Sequence, residues 1–331
     1  MQVSIWLVRA LSGAVERAGA SRSQFLKLAG VTADDLTQDH ARLSVDNYIR
    51  VIDAAVEVTA DPALGLHWGE HASTTMYHVV GHLAEAANTL GQALDMITRY
   101  SAILAAGFEP TLVEVGDRAS LRLPALAGDS AALRLTAEFA LTGFLRLLRQ
   151  YVGPSAWPDR ACFSYRAPAY AAEYRRVFGG IERFDQPFNG LEFPRAWLAQ
   201  KQLYGNQEVR SLLESHAERE LTRIARSTTV GERVQRILAA HNPCELPSLI
   251  DAARELQMSA RTLSRKLRAE ATNYAVLVEQ QRAIAAKHLL ERNHASIQEA
   301  AFAMGFGDAQ SFHRAFKRWT GLTPTQYLAS V

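Results

Sequence analysis

Two short stretches near the carboxyl end concentrate side chains suited to gripping a polyanion. Residues 261–268 read Arg261-Thr262-Leu263-Ser264-Arg265-Lys266-Leu267-Arg268, and residues 310–318 read Gln310-Ser311-Phe312-His313-Arg314-Ala315-Phe316-Lys317-Arg318. An arginine fork can donate two parallel hydrogen bonds to O6 and N7 of guanine, and a glutamine amide can pair likewise with adenine. Lysine serves better as a point charge on phosphate. At helical spacing Leu263 and Leu267 turn inward and leave Arg261, Thr262, Arg265, Lys266 and Arg268 toward solvent. In the second stretch Phe312, Ala315, Phe316 and Trp319 take the inner face, and Gln310, Ser311, His313, Arg314, Lys317 and Arg318 the outer. Arg261, Ser264, Arg265, Gln310, His313 and Arg314 are therefore candidates for base edges, and Lys266, Arg268, Lys317 and Arg318 for phosphates. For one such helix an ordinary solvated face is an equal alternative; the recurrence of the arrangement weighs against it.

Each stretch needs a rigid neighbour to present it, and the chain supplies the same neighbour twice. Ser248 reads as the cap of a helix through Leu249, Ala252, Ala253 and Leu256, followed by a tight turn at Gln257 and Met258 and a second cap at Ser259. Ser296 and Glu299 stand in capping-box spacing before Ile297, Ala300, Ala301 and Met304; Gly305 then turns the chain, which restarts after Asp308. Two helix-turn-helix units result, at about 246–270 and 296–319. Between them Tyr274, Leu277, Ile284, Ala285 and Leu289 are expected along one face of a long helix that would set their separation. Successive major grooves of one DNA face lie about 34 Å apart.

At 331 residues the chain is longer than one typical core, so two domains are expected. The boundary is placed in the polar stretch 226–230, giving domains 1–226 and 227–331. Residues 229–331 hold 13 Lys and Arg against 9 Asp and Glu, whereas residues 1–228 hold 23 against 25, so the basic excess lies in the second domain. The first domain reads as α+β. Ile5, Val8 and Val15, then Tyr48, Ile49 and Ile52, and the segments 79–87 and 90–104 keep helical period. Thr111–Val115 and Ala119–Leu123 alternate around Gly116 and Asp117 as a hairpin, a helix follows over 131–151, and Arg160–Tyr165 and Gly190–Phe193 read as further strands. Val209, Leu212, Leu213, His216, Leu221 and Ile224 form one stripe on a helix over 206–226, either a dimer seam or a face packed on its own domain.

Over roughly Val230 to Ser330 the chain resembles the AraC/XylS regulators. The tract 296–306, Ser-Ile-Gln-Glu-Ala-Ala-Phe-Ala-Met-Gly-Phe, carries the likeness with 311–319, Ser-Phe-His-Arg-Ala-Phe-Lys-Arg-Trp, and Gly321-Leu322-Thr323-Pro324 before Tyr327. Met258 to Leu267 is similar to the family's first reading unit, and Arg282 falls where its connecting helix carries an arginine. More loosely, Asn88-Thr89-Leu90-Gly91-Gln92-Ala93-Leu94, Arg99-Tyr100, Arg175-Arg176-Val177-Phe178 and Asn189-Gly190-Leu191-Glu192-Phe193 resemble the effector domain of the arabinose-binding-type subgroup. The resemblance implies an α+β sensing domain followed by an all-α domain with two helix-turn-helix units joined by a long helix. It also implies double-stranded DNA and a small-molecule effector as partners, and often a homodimer. RNA polymerase is a further candidate partner. The effector and the residues that bind it stay unidentified.

His67 and His71, and His78 and His82, stand at i and i+4, a spacing that can place two imidazoles on one metal; satisfied surface histidines are the favoured alternative, and no metal or other cofactor is expected. Cys162 and Cys244 match no zinc spacing and read as small buried hydrophobes. No GxSxG, GxxxxGK, HExxH or GxGxxG motif is present, so no enzymatic activity is expected. No apolar run reaches the roughly 18 residues of a membrane span, and Arg9, Glu16 and Arg17 interrupt any signal-peptide core, so a cytoplasmic location is expected. Two alternatives remain: a ligand-independent DNA-binding regulator whose first domain only dimerises, and a thiol-modifying enzyme carrying a DNA module.

Overall fold

The computed structural model describes residues 2–124, 131–202, 205–227, 229–239, 241–292 and 296–328. The chain divides into two compact units, the first ending at Ile224 and the second starting at Ala225.

In the first unit, helices pack around two small sheets. Ser4, Ser21, Thr32, Ser44 and Thr89 each accept a backbone N–H at the start of a helix, so polar residues set where helices begin. The first of these helices, Ile5–Arg17, buries Ile5, Val8, Leu11 and Val15. The three-stranded sheet has Gln2–Ser4 between Arg42–Ser44 and Ala105–Ala106, all antiparallel. The sequence reading missed this sheet because its strands have two or three residues, too few to show alternation. In the five-stranded sheet the expected hairpin pairs Thr111–Val115 with Arg118–Leu123 across a two-residue loop. Strand Asn189–Pro194 continues the order, followed by Arg160–Cys162 and Glu182–Arg183, the last pair parallel. The strand expected over 160–165 thus ends at Cys162, and the helix expected over 90–104 ends at Tyr100 and tightens into a 3₁₀ turn, Ser101–Ile103.

The 22-residue helix Ala131–Val152 is the spine of this unit. Helix Leu64–Glu70 crosses it closely because Gly65 and Gly69 face it. A Cβ on Gly65 would lie 2.4 Å from the Leu135 carbonyl oxygen, and one on Gly69 2.6 Å from Thr142 Cβ. The close approach lets Trp68 stack on Phe139 at 3.7 Å between ring centroids. It also buries Glu138, whose Oε1 accepts hydrogen bonds from the Tyr170 and Tyr174 hydroxyls while its Oε2 has no partner. Burial pushes the Glu138 carboxyl up to about 7, and the two tyrosine hydrogen bonds offset it only in part. The same helix pair is tied to helix Ala171–Phe178 by charge: His67 Nδ1 lies 2.6 Å from Asp61 and Nε2 3.0 Å from Glu173, while Arg176 grips both oxygens of Glu70.

In the second unit, helix Val230–Ala239 begins at the end of the polar stretch 226–230. Arg226 and Ser227 still belong to helix Gln207–Ser227, Thr228 lies outside the described residues, and Thr229 already caps the next helix. Thr229 and Glu232 cap each other's backbone at 3.0 and 3.1 Å, a reciprocal pattern legible as Thr-x-x-Glu. Two apolar clusters follow. Val234, Leu238, Ala253, Leu263, Leu267 and Leu277 build the first, and Ala286, Leu290, Ala300, Ala301, Phe312 and Phe316 the second.

Helix Tyr274–Arg292 serves both clusters, but not along one face as expected. Leu277 and Ala286 are nine positions apart, about two and a half turns, so they point to opposite sides of the helix. Ile284, expected in the seam, is 43% exposed.

Candidate nucleic-acid interface

Both reader helices are set by local caps. In the first unit of the pair, Ser248 and Asp251 form a capping box before helix Leu249–Glu255, Gln257 turns at φ 54°, and Ser259 accepts the Thr262 N–H at the start of helix Ala260–Ala269. In the other, Ser296 and Glu299 form the box before helix Ile297–Ala303, Gly305 turns at φ 77°, and Asp308 accepts the Ser311 N–H before helix Ala309–Thr320. The positive φ suits glycine at 305. Hydrogen bonds from Ser296, Ser311 and Ser248, backbone and hydroxyl alike, hold Glu299, Asp308 and Asp251 below their ordinary carboxylate range.

On helix Ala260–Ala269 the inner residues Leu263 and Leu267 are fully buried, and Arg261, Arg265, Lys266 and Arg268 are exposed. On helix Ala309–Thr320 Phe312 and Phe316 are fully buried, and Gln310, Arg314, Lys317 and Arg318 are exposed. Ser264 and His313 are half-buried on the same helices. Among the described residues, Arg261, Arg265, Lys266, Arg268 and Lys317 have no hydrogen bond or ion pair, so their donors face solvent unspent.

Three of the candidates are already engaged. The Thr262 hydroxyl lies 2.9 Å from Ser259 Oγ, and the Ser311 hydroxyl donates to Asp308 at 2.8 Å, so both belong to their helix caps. Arg318 Nε pairs with Glu279 of the connecting helix at 3.0 Å. Arg314 keeps one weak contact, to Ser311 Oγ at 3.4 Å.

Two positioning groups escaped the sequence reading. Glu270, at the end of the first reader helix, accepts the N–H groups of Val230 and Gly231 at 2.7 Å each and so pins the start of helix Val230–Ala239. Its signal is a partnership 40 residues apart, which no local pattern carries. Cys244, expected as a buried hydrophobe, is half-buried instead, and its S–H donates to the Ala303 carbonyl at 2.8 Å beside the Gly305 turn. Cys162 is buried in its strand, and burial pushes its thiol up to about 11.

The first unit contains a cavity of about 790 Å³. Tyr48, Val80, Ile97, Phe108, Phe139 and Phe144 are among its walls. The four histidines of the expected pairs do not converge on it. His67 is held by carboxylates: burial would lower its pKa, but Asp61 and Glu173 outweigh burial and leave it raised. His71 Nδ1 lies 2.9 Å from the His67 carbonyl oxygen, His78 tilts against Trp6 at 4.6 Å, and His82 stands 3.9 Å from Glu85. Among the described residues, no group of three or more His, Cys, Asp or Glu is placed to hold a metal. No described helix is long and apolar enough to cross a membrane.

The arabinose-binding domain of AraC transcription regulators matches residues 19–202, and a helix-turn-helix domain matches residues 252–330. The ornithine utilization regulator of Pseudomonas aeruginosa is 30% identical over 98% of this chain and 96% of its own length. The regulator VirS of Mycobacterium tuberculosis is 24% identical over 94% and 92%. The crystal structure of the transcriptional regulator CdpR from Pseudomonas aeruginosa aligns with 92% of this chain and 95% of its own, at 22% identity and a TM-score of 0.43. With a family domain covering more than half its length and a relative matched end to end, the chain belongs to the AraC family: it is a helix-turn-helix, DNA-binding transcription regulator with an arabinose-binding-type amino-terminal domain.

Proposed function

We propose that one chain reads two adjacent major-groove segments of double-stranded DNA, one with each reader helix. Arg261, Ser264 and Arg265 on the first, and Gln310, His313 and Arg314 on the second, take base edges. Lys266, Arg268 and Lys317 take phosphates, and Thr262 and Ser311 support them as caps. The observation that carries this reading is the recurrence, on two separately capped helices, of exposed arginines whose inner neighbours are fully buried. A good bidentate pair contributes about 1–3 kcal/mol of discrimination between bases. Arg265→Ala and Arg314→Ala should therefore each lose about tenfold or more on the operator and much less on unrelated duplex. Equal losses on both duplexes would reassign these arginines to phosphates.

The cavity of the first unit is the effector site in this reading, and its volume lies within the roughly 300–1,000 Å³ usual for small-molecule sites. An effector acts by binding one DNA-binding arrangement of the chain better than another, since only differential affinity shifts such an equilibrium. The protein acts in the cytoplasm, without catalysis, as a homodimer. The expected stripe on helix Gln207–Ser227 supports the dimer in part. Ile224 is buried, but Val209 and Leu212, 44% and 73% exposed, present an apolar step to a second copy.

A further inference from the structure

We infer that the ligand of the 790 Å³ cavity is an amphiphilic acid, an elongated apolar body ending in a carboxylate that Arg146 and Arg149 receive. This rests on the reading of the cavity as the effector site. It follows from how the lining changes along helix Ala131–Val152.

Thr136, Phe139, Ala140, Gly143, Phe144 and Leu147 line the cavity at three- and four-residue steps, so one face of this helix forms its floor. From Thr136 to Gln150 the floor runs about 21 Å, at 1.5 Å per residue, which suits a long ligand rather than a compact one. At the Thr136 end the polar groups meet protein: the Thr136 hydroxyl donates to the Ala132 carbonyl at 2.9 Å, and the Tyr48 hydroxyl lies 3.5 Å from it. The walls beside them include Val80, Ile97, Phe108 and Phe139. A sugar, with a hydroxyl on nearly every carbon, loses water against such walls and gains few hydrogen bonds in return.

The other end of the floor is basic. Arg146, Arg149 and Gln150 are surface neighbours on the helix, at i, i+3 and i+4. Of five N–H donors, Arg146 gives one to the Glu70 carbonyl, and Arg149 gives one to the Ala156 carbonyl at 3.4 Å while its guanidinium lies over the Trp157 ring at 4.0 Å. Among the described residues neither arginine has a carboxylate partner, and the Gln150 amide and Thr74 hydroxyl have no hydrogen bond. Burial lowers the Arg149 guanidinium with no anion to offset it. The lining sets these two positive charges against one negative charge, Glu85, which stands 3.9 Å from His82 and pairs with neither arginine. One ligand carboxylate balances the site, and its two oxygens match the parallel donors of a guanidinium. An amino acid brings an ammonium as well, for which two arginines have the wrong sign.

The test uses the full-length protein and cis-parinaric acid, a fluorescent long-chain carboxylic acid, displaced in turn by decanoate, 1-decanol, L-arabinose and L-ornithine. The probe should bind at one site per chain. Decanoate should displace it at least tenfold more effectively than 1-decanol, which has the same chain without the charge, and L-arabinose and L-ornithine should not displace it. Arg146→Met with Arg149→Met, which keeps the stems and removes the charges, should bring decanoate down to the level of 1-decanol and leave 1-decanol unchanged, a selective loss that general damage to packing does not produce. Ala140→Leu, which fills the floor, should abolish binding of both. Thermal melting verifies folding, and Val80→Ile gives a milder filling if Ala140→Leu fails to fold. Equal displacement by decanoate and 1-decanol, a decanoate preference that survives loss of both arginines, or displacement by L-arabinose or L-ornithine overturns the acid; the effector site stands if a filled variant weakens whichever probe binds. If no probe binds, the acid falls, and normal regulation of an operator reporter by the filled variants removes the effector site as well.

Discussion

Arg318 Nε of the second reader helix and Glu279 Oε1 of the connecting helix form an ion pair at 3.0 Å. Both side chains are largely solvent-exposed, so the pair itself contributes at most about 1 kcal/mol. Its importance is geometric, because it commits Arg318 to orienting the helix while its neighbour Lys317 stays free. Lys317→Ala should weaken binding to all duplexes alike and reduce the slope of log affinity against log salt by about 0.9, the value of one phosphate contact. Arg318→Ala should weaken binding with a smaller change in slope. Anisotropy titrations across a salt series distinguish the two, and a full-sized slope change for Arg318→Ala would mean that the pair opens on DNA.

The caps that begin the second helix-turn-helix unit should be separable from DNA contact. Ser296→Ala removes the oxygen that accepts the Glu299 N–H at 3.2 Å, and a lost N-cap costs about 0.5–2 kcal/mol. The melting temperature should fall accordingly, with little change in affinity for DNA once the variant is folded. A large loss of affinity at unchanged stability would place Ser296 at the DNA instead.

Glu138 should make stability fall as pH rises. Its carboxyl is pushed from an ordinary 4.5 up to about 7 on folding, so its contribution is complete below about pH 4.5, declines between there and pH 7, and is lost above. The full decline corresponds to about 3 kcal/mol. His67, also raised, acts in the same direction but only above its ordinary 6.5, as pH passes through its folded value. His78, which burial lowers below its ordinary 6.5, acts in the opposite direction over the same range, so Glu138 is read from the difference between wild-type and Glu138→Gln urea melts at pH 5 and 6.5, and the variant should lack the decline that Glu138 contributes. An unchanged pH dependence in that variant would remove Glu138 from the account.

Gly65→Val tests the helix crossing that builds the cavity wall. A Cβ there meets the Leu135 carbonyl at 2.4 Å, and backbone cannot step aside as a side chain can. Overpacking of this kind costs about 1–3 kcal/mol. The denaturation midpoint should drop, and the cavity to which helix Ala131–Val152 supplies Phe139 and Phe144 should be distorted with it. Unaltered stability would contradict the close packing.

Leu212→Glu tests the dimer. A charge at this 73% exposed position leaves the monomer fold intact and opposes apolar pairing. Sedimentation should show a shift from dimer to monomer; a wild-type protein that is monomeric at micromolar concentration would rule the dimer out.

What was legible in the sequence was local. Ser248, Ser259, Ser296 and Asp308 announce helix starts within four residues of themselves, and Leu263, Leu267, Phe312 and Phe316 repeat at i and i+4, so the sequence alone defines both readers. The connecting helix was misread because its apolar residues serve two cores on opposite sides, which a search for a single stripe averages into the wrong face. Glu270, Glu279 and the cavity escaped for a different reason. Their partners are distant in sequence, and Val3 and Pro154 line one cavity only because the sheet and helices bring them together. Thr262 and Ser311 looked like free polar side chains, and only the cap geometry shows that their hydroxyls are engaged.

The most direct measurement is a hydroxyl-radical footprint of the full-length protein on its operator, repeated with Arg265→Ala and with Arg314→Ala. Wild-type protein should protect two segments about one helical turn apart per chain, and each variant should lose protection in a different segment while keeping the other. Loss of the same segment by both variants, or a single protected segment per chain, would contradict two independent readers on one chain.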